Sequence, residues 1–270
     1  MIYRIHIPAR PLSYFIEHFF FYEGHHAEHT MEKFLPDGSM DLLIDLTESP
    51  KKLFHNEDGT SYTTYRKSWI SGMKTEYILI DASVSTMIGV HFRPGGASPF
   101  FNFPVSDLND LTIEMDCIWK TEIHSIRDAI LNTPEIENKF NILEKYFLQK
   151  ARNKLEPNLF VSYAIDQLQQ SQAMWTIGQL SNKIGITQKH LISLFNKHVG
   201  LSPKLFARIA RFQKVIKEVE TKRCIEWTSV AYDCGYYDQA HFIKEFQAFS
   251  GINPAAYLTQ RGEYLNYLPV

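Results

Sequence analysis

"ITQKHLISLFNKHVGLSP", Ile186 to Pro203, is the stretch whose reading decides the fold. Leu191, Leu194, Phe195 and Val199 recur at three- and four-residue steps, the spacing of one helix face. Gln188, Lys189, Ser193 and Lys197 fall on the other side. Thr187 stands where an N-cap oxygen accepts the first free amides of the helix. About fifty residues further on, "YYDQAHFIKEFQAFSGINP" (Tyr236–Pro254) repeats the pattern. Leu180, Ser181 and Gly185 match Val230, Ala231 and Gly235 at an offset of 50. Thr187, Leu191, Phe195, Gly200 and Pro203 match Asp238, Phe242, Phe246, Gly251 and Pro254 at an offset of 51, one extra residue entering the second turn.

Each unit reads as helix, glycine turn, capped helix, which is the helix-turn-helix arrangement, spanning 177–198 and 228–249. Ser181 or Ala231 lets the two helices approach closely, and Gly185 or Gly235 supplies a positive φ for the turn. A single unit is equally an αα-hairpin in a bundle. Two copies with matched caps, turns and core positions ask for a duplicated target, and successive major grooves on one face of DNA lie about 34 Å apart.

Outward from the repeat the periodicity stays helical. Leu159, Ala164, Ile165 and Leu168 form one apolar face, and Leu205, Ile209, Phe212 and Ile216 another, so residues 159–260 read as one all-α domain. "QKARNKLEPN" (Gln149–Asn158) is the linker stretch, with 153–158 as the connection proper. Residues 116–152 read as helices broken at Pro134, serving either as a dimerisation face or as a connector. Residues 1–115 read as β-rich. "DLLIDL" (Asp41–Leu46), "YILI" (Tyr77–Ile80) and "MIGVHF" (Met87–Phe92) are strands between the turns Pro36-Asp37-Gly38, Glu57-Asp58-Gly59 and Pro94-Gly95-Gly96. The expected architecture is an α+β two-domain chain, a β-barrel or sandwich followed by helices and a duplicated helix-turn-helix domain.

Composition is consistent with this. At 270 residues and 44% hydrophobic the chain can bury a full core in two domains. The net charge of -2 hides an asymmetry. Residues 1–157 carry 16 Lys+Arg against 22 Asp+Glu, and residues 158–270 carry 12 against 8. Only the basic back half is suited to a polyanion. Cys117, Cys224 and Cys234 are odd in number and include no C-x-x-C pair, which points to reduced thiols rather than disulfides or a structural zinc. No secretory leader or membrane-length apolar run is present, so a cytoplasmic location is expected.

Residues 158–260 resemble the AraC/XylS family of bacterial transcriptional regulators. The resemblance is carried by "QLSNKIGITQKHLISLFNKHVGLSP", by Arg211 on the connecting helix, and by "SVAYDCGYYDQAHFIKEFQAFSGINPAAY". Two positions depart from the family pattern: Tyr236 replaces the usual Phe, and Leu258 the usual Arg. The resemblance implies that Gln188, Lys189, Ile192 and Ser193 read bases in one groove, and Gln239, Ala240, Ile243 and Lys244 in the next. The chemistry suits this: Lys donates to guanine O6/N7, Gln pairs with adenine, and an exposed Ile covers a thymine methyl. Asn196, Lys197 and Lys204 are candidates for phosphates. A solvated lysine or a core isoleucine is the plain alternative at each such position. Arg211 is read as an internal ion-pair partner.

In the front half, "FLPDGSMDLLIDL" (Phe34–Leu46) and "GVHFRPGGA" (Gly89–Ala97) look like the cupin-like N-terminal domain of some of these regulators. That implies a sensing domain able to hold a small-molecule effector. "GHHAEHT" offers His25, His26, Glu28 and His29, with His91 on a strand. His26, His29 and His91 would be the ligands if a metal were held, but the spacing suits a solvated loop, and no metal or cofactor is expected. Arg93 in "RPGGA" could hold an anion or simply follow a strand into a turn. Expected partners are double-stranded DNA, RNA polymerase, a small-molecule effector and a second copy of the chain, with no membrane. No catalytic triad, phosphate loop or carboxylate pair stands out. The alternatives are a metal-dependent cupin enzyme with a helical accessory domain, and a protein-interaction module.

Overall fold

The computed structural model describes residues 2–25, 29–151, 155–170, 175–222, 225–262 and 264–270. The front half contains β1 (Ile2–His6), β2 (Ile16–His25), β3 (Met31–Phe34), β4 (Met40–Asp45), β5 (Lys51–Phe54), β6 (Tyr62–Tyr65), β7 (Ser68–Ser71), β8 (Ile78–Asp81), β9 (Ser85–Phe92) and β10 (Thr112–Glu114). Helices α1 (Asp116–Trp119), α2 (Thr121–Leu131) and α3 (Ile136–Lys150) follow, broken at Pro134 as the sequence suggests. The back half holds α4 (Leu159–Gln170), α5 (Ile177–Ile184), α6 (Gln188–His198), α7 (Pro203–Thr221), α8 (Trp227–Asp233), α9 (Gln239–Ser250) and α10 (Pro254–Gln260). A last strand, β11 (Tyr267–Pro269), returns to the front half.

The strands form two antiparallel sheets, ordered β1-β2-β9-β4-β7-β10 and β11-β3-β8-β5-β6. Period-two alternation decides what each face meets. On β4 and β9, Leu42, Ile44, Ile88, Val90 and Phe92 are fully buried. They back onto α2 and α3, whose Ile126, Ile130, Phe140, Leu143 and Phe147 belong to the same core. Phe147 sits edge-on to Phe100, ring centroids 4.8 Å apart, and to Phe92 at 5.9 Å. The apolar face of the 116–152 helices is thus used against the chain's own sheet, leaving Leu131 and Leu148 exposed.

The opposite face of that sheet carries Tyr22, Asp41, Leu43 and His91, all half-buried, and looks toward the smaller sheet. Gly89 belongs to this face because the Phe20 ring, its cross-strand partner, occupies the space a side chain would need. The buried Arg127 fastens α2 to the sheet, its Nε donating to the Asp45 carbonyl at 2.7 Å and its Nη2 to the Thr47 carbonyl at 3.0 Å.

The helical half packs directly on the β-rich half. A side chain at Gly38 would meet Phe206 and Ile209 of α7. Gln213 Nε2 donates to the Pro36 carbonyl at 2.8 Å, the Ser98 hydroxyl meets His198 Nδ1 at 3.0 Å, and the Asn109 amide donates to the Gly200 carbonyl. A Phe147→Ala variant is expected to lose about 3–5 kcal/mol of stability in denaturant unfolding, as for other fully buried aromatics. A loss under about 1 kcal/mol would contradict the packing of α3 against the sheet.

Candidate nucleic-acid interface

The two repeats share their glycine turns. Gly185 and Gly235 turn at φ 81° and 83°, and Gly200 and Gly251 follow the second helices at φ 98° and 73°. Thr187 Oγ1 accepts from the His190 amide at 3.2 Å, and Asp238 Oδ1 accepts from the His241 amide at 2.7 Å, so both expected N-caps are formed. The caps one helix later are also paired: Ser202 and Asn253 each precede a proline at the first helical position and accept an amide three residues on. The leading helices are capped as well, α5 by a Thr176–Gln179 capping box and α8 by Glu226, which accepts from the Thr228 and Ser229 amides. Those bonds, Ser229 first, hold the Glu226 carboxyl down at about 2. Core positions agree too: Leu180 with Val230, Ser181 with Ala231, Leu191 with Phe242 and Phe195 with Phe246 are all buried.

Burying these residues leaves the remaining faces of α6 and α9 to solvent. Gln188, Lys189, Ser193, Asn196 and Lys197 are exposed on α6, and Lys204 on the first turn of α7. Gln239, Ala240 and Lys244 are exposed on α9. The two isoleucines differ. Ile192 is half-buried outside the main core, whereas Ile243 packs against the core, the plain alternative noted from the sequence. Gln188 is partly a turn residue, since its amide lies over Gly178.

A buried carboxylate ties the second unit to α7. Glu245 on α9 meets Arg208 Nε at 2.5 Å and Arg211 Nη2 at 3.3 Å, so Arg211 forms the internal ion pair expected of it and Arg208 joins it. Arg208 could have been found by its position one turn before Arg211. These groups border an open cleft of about 750 Å³ that also receives Gln188, Lys204 and His241. The amino-terminal ends of α6 and α9 therefore open onto the same cleft. Their carboxyl-terminal ends face the β-rich half, α6 through His198 and Gly200, α9 through Gly251, which leaves no room for a side chain beside Tyr77.

The two departures from the family pattern are accommodated by packing. Tyr236 is buried, its ring edge-on to Phe242 and 5.3 Å from the Arg211 guanidinium. Leu258 packs against the core, while Arg261 donates to the Val219 carbonyl at 3.1 Å. Sequence reading passed over Tyr232 and Tyr237, 61% and 78% exposed beside the second unit. Exposed aromatics just before α9 would have been the signal.

Among the described residues of the front half, His29 and His91 have separate carboxylate partners, and the His18 ring stacks on His91 with centroids 5.0 Å apart. His26, Glu28 and the His25 side chain lie outside the described residues. His29 pairs with Glu32 at 2.7 Å. His91 instead meets Asp41 at 2.7 Å with Asp37 beside it, the three side chains lying within 4.8 Å of one another. Burial alone would lower the His91 imidazole, but the charge and hydrogen bond of Asp41, with Asp37 and Glu17 beyond, hold it up at about 9. An imidazolium between carboxylates is satisfied without an ion. Arg93 donates to the Ser13 carbonyl at 2.9 Å, and Gly95 abuts Val161, Ile165 and Val199, so "RPGGA" is an interdomain turn. Cys117 and Cys234 are free, burial pushing the Cys234 thiol up to about 11.

Comparison with known proteins agrees with this architecture. Residues 180–260 match a helix-turn-helix domain family, and residues 4–114 match a domain of unknown function (DUF6597). An uncharacterized HTH-type transcriptional regulator of Haemophilus influenzae is 30% identical over 93 residues, 33% of this chain and 30% of that protein. The HTH-type transcriptional activator AarP of Providencia stuartii is 29% identical over 93 residues, 31% of this chain and 68% of AarP. This chain thus matches under a third of the length of the first relative. ToxT from Vibrio cholerae O395, in a structure bound to (E)-4-(8-methylnaphthalen-1-yl)but-3-enoic acid, superposes with a TM-score of 0.50. That superposition covers 89% of this chain and 98% of ToxT at 11% identity, a likeness of fold. The fold and the paired helix-turn-helix units define a two-domain chain with a β-rich front and a helix-turn-helix domain behind it. Residues 180–260 thus carry a helix-turn-helix domain of a kind found in HTH-type transcriptional regulators.

The His91 ion pair sets a pH dependence. A folded value near 9 against about 6.5 in the unfolded chain gives stability that is complete below about pH 6.5 and is lost as pH rises toward 9. Chemical denaturation at pH 6 and pH 9 is expected to show this decline in the parent and a shallower one in His91→Gln. Parallel curves would contradict the pairing.

Proposed function

We propose that this protein is a sequence-specific DNA-binding transcription regulator whose helices α6 and α9 read adjacent major grooves. The observation that supports it most is the pairing of two units with matched glycine turns, capping bonds and buried positions, whose polar faces stay exposed while their far ends rest on the front domain. Gln188, Lys189, Ile192 and Ser193 then read one groove, and Gln239, Ala240 and Lys244 the next, with Ile243 contributing shape from the edge of the core. Asn196, Lys197 and Lys204 hold phosphates, which position the protein without selecting sequence.

The β-rich domain receives a signal in this reading, as the ligand-bound ToxT of the same fold suggests. A small-molecule effector would act by binding two arrangements of the chain unequally. Contact with RNA polymerase and pairing with a second copy complete the proposal. The scarcity of exposed arginine on the reading faces favours such help in binding. The work is placed in the cytoplasm with the DNA; among the described residues no helix is long and apolar enough to cross a membrane. The family evidence argues against an enzyme.

Duplexes selected from random sequence by the chain itself provide the test. Lys244→Ala is expected to relax base preference at one half-site at a cost of about 1–3 kcal/mol. Lys197→Ala should weaken every sequence alike and lower the salt slope by about 1. Identical behaviour of the two variants in titrations at two salt concentrations would reject the assignment, and failure to select any duplex would reject the function.

A further inference from the structure

The residues after α10 do not stay with the helical half. Residues 261–266 separate α10 from β11, which pairs antiparallel with β3 at the edge of the smaller sheet, Tyr267 opposite Phe34 and Leu268 opposite Lys33. The Leu35 amide donates to the Asn266 carbonyl at 2.9 Å, and the Val270 amide to the Met31 carbonyl at 3.1 Å. Leu268 is fully buried. The same segment is tied to the helices: Tyr257 Oη donates to the Leu265 carbonyl at 2.8 Å, and Gln213 Nε2 reaches Asn266 Oδ1 at 2.9 Å as well as the Pro36 carbonyl. Lys33, opposite Leu268, carries the Tyr77 ring 4.7 Å from its ammonium, and Tyr77 is the residue on which Gly251 rests. Seating β11 therefore braces the second helix-turn-helix unit from behind.

β11 also lines an open cleft through Tyr267, which stays 37% exposed. Between the two sheets lies a space of about 110 Å³ walled by Tyr22, Phe34, Asp41, Trp69, Ile80 and Tyr267. Tyr267 packs on Phe34 with centroids 5.1 Å apart, so the wall is partly made by a strand that follows the helix-turn-helix repeat. It is smaller than the roughly 150 Å³ enclosed cavity that takes benzene but opens to solvent on one side, so a single ring is the largest group it can seat. Its other charged groups are engaged: Lys51 donates to Ser83 and to the Val84 carbonyl, and Asp81 accepts from the Lys52 and Ser83 amides. Asp41 spends one oxygen on His91, and its carboxylate has further acceptor capacity for a ligand that donates.

We propose that β11 is a ligand-dependent clasp: a single-ring aromatic compound bearing a hydrogen-bond donor enters the cavity between the sheets, packs on Tyr267, and holds the segment after α10 on the β-rich domain. A short edge strand is readily opened, and a ligand that touches Tyr267 favours the seated arrangement because it has that contact in no other. The consequence for DNA rests on the regulator reading above; the binding step does not.

4-Fluorophenol is the probe, titrated by fluorine NMR into the full chain, into Tyr267→Ala and into the chain lacking residues 264–270, with amide exchange followed alongside. The intact chain should bind the probe, both variants should bind at least tenfold more weakly, and the probe should slow exchange at the Leu35 and Val270 amides of the intact chain. Tyr267→Ala keeps Leu268 and the strand backbone, so the result stands even if the shortened chain fails to fold. No binding by the intact chain, equal affinity in Tyr267→Ala, or unchanged exchange overturns the proposal. None of these readouts involves DNA, so a chain that binds the probe as expected but selects no duplex counts against the regulator reading alone.

Discussion

Helix α7 is the rod against which everything else is held. Phe206, Ile209, Phe212, Val215, Ile216 and Val219 are buried along it. Phe206 meets Phe195 of α6, and Phe212 meets Phe246 and Phe249 of α9. The same helix touches the front domain at Gly38 and Pro36. Burying a large apolar side chain stabilises by roughly 1.5–3 kcal/mol, so these contacts outweigh the exposed polar bonds nearby. Spacing between the two units is therefore a property of apolar packing along one helix, with direction added by Glu245 between Arg208 and Arg211.

That division of labour explains why the reading faces are modest. A helix that must bury Leu191 and Phe195, or Phe242, Phe246 and Phe249, has one remaining side for polar residues. Matched glycine turns and caps present those sides in the same way twice. The front domain approaches from the carboxyl-terminal ends, so it can brace the pair without covering the residues assigned to bases.

Much of the helical half was legible because its determinants are local. Thr187, Asp238, Gly185 and Gly235 act within a few residues of themselves, and duplication made each copy a check on the other. The front half was less so. β4, β8 and β9 fell within a residue or two of the apolar runs that announced them. β2, however, alternates buried Phe19 and Phe21 with His18, Phe20 and Tyr22 facing the smaller sheet, an aromatic run without polar relief that hides its period. Spacing grouped His91 with His26 and His29, whereas among the described residues its neighbours are Asp41 and Asp37 on the adjoining strand and turn and the stacked His18 ring. β11 had no local signal: three residues become a strand only because β3 offers an edge. Ile243 rests partly buried against the core through tertiary packing that a helical wheel does not contain.

The central claim is that two helices of one chain enter neighbouring grooves on one side of a duplex. Hydroxyl-radical footprinting of the full chain on its selected duplex measures this directly. Two protected patches on the same face, about 10–10.5 base pairs apart, are the expected result. A single patch, or two on opposite faces, would contradict it.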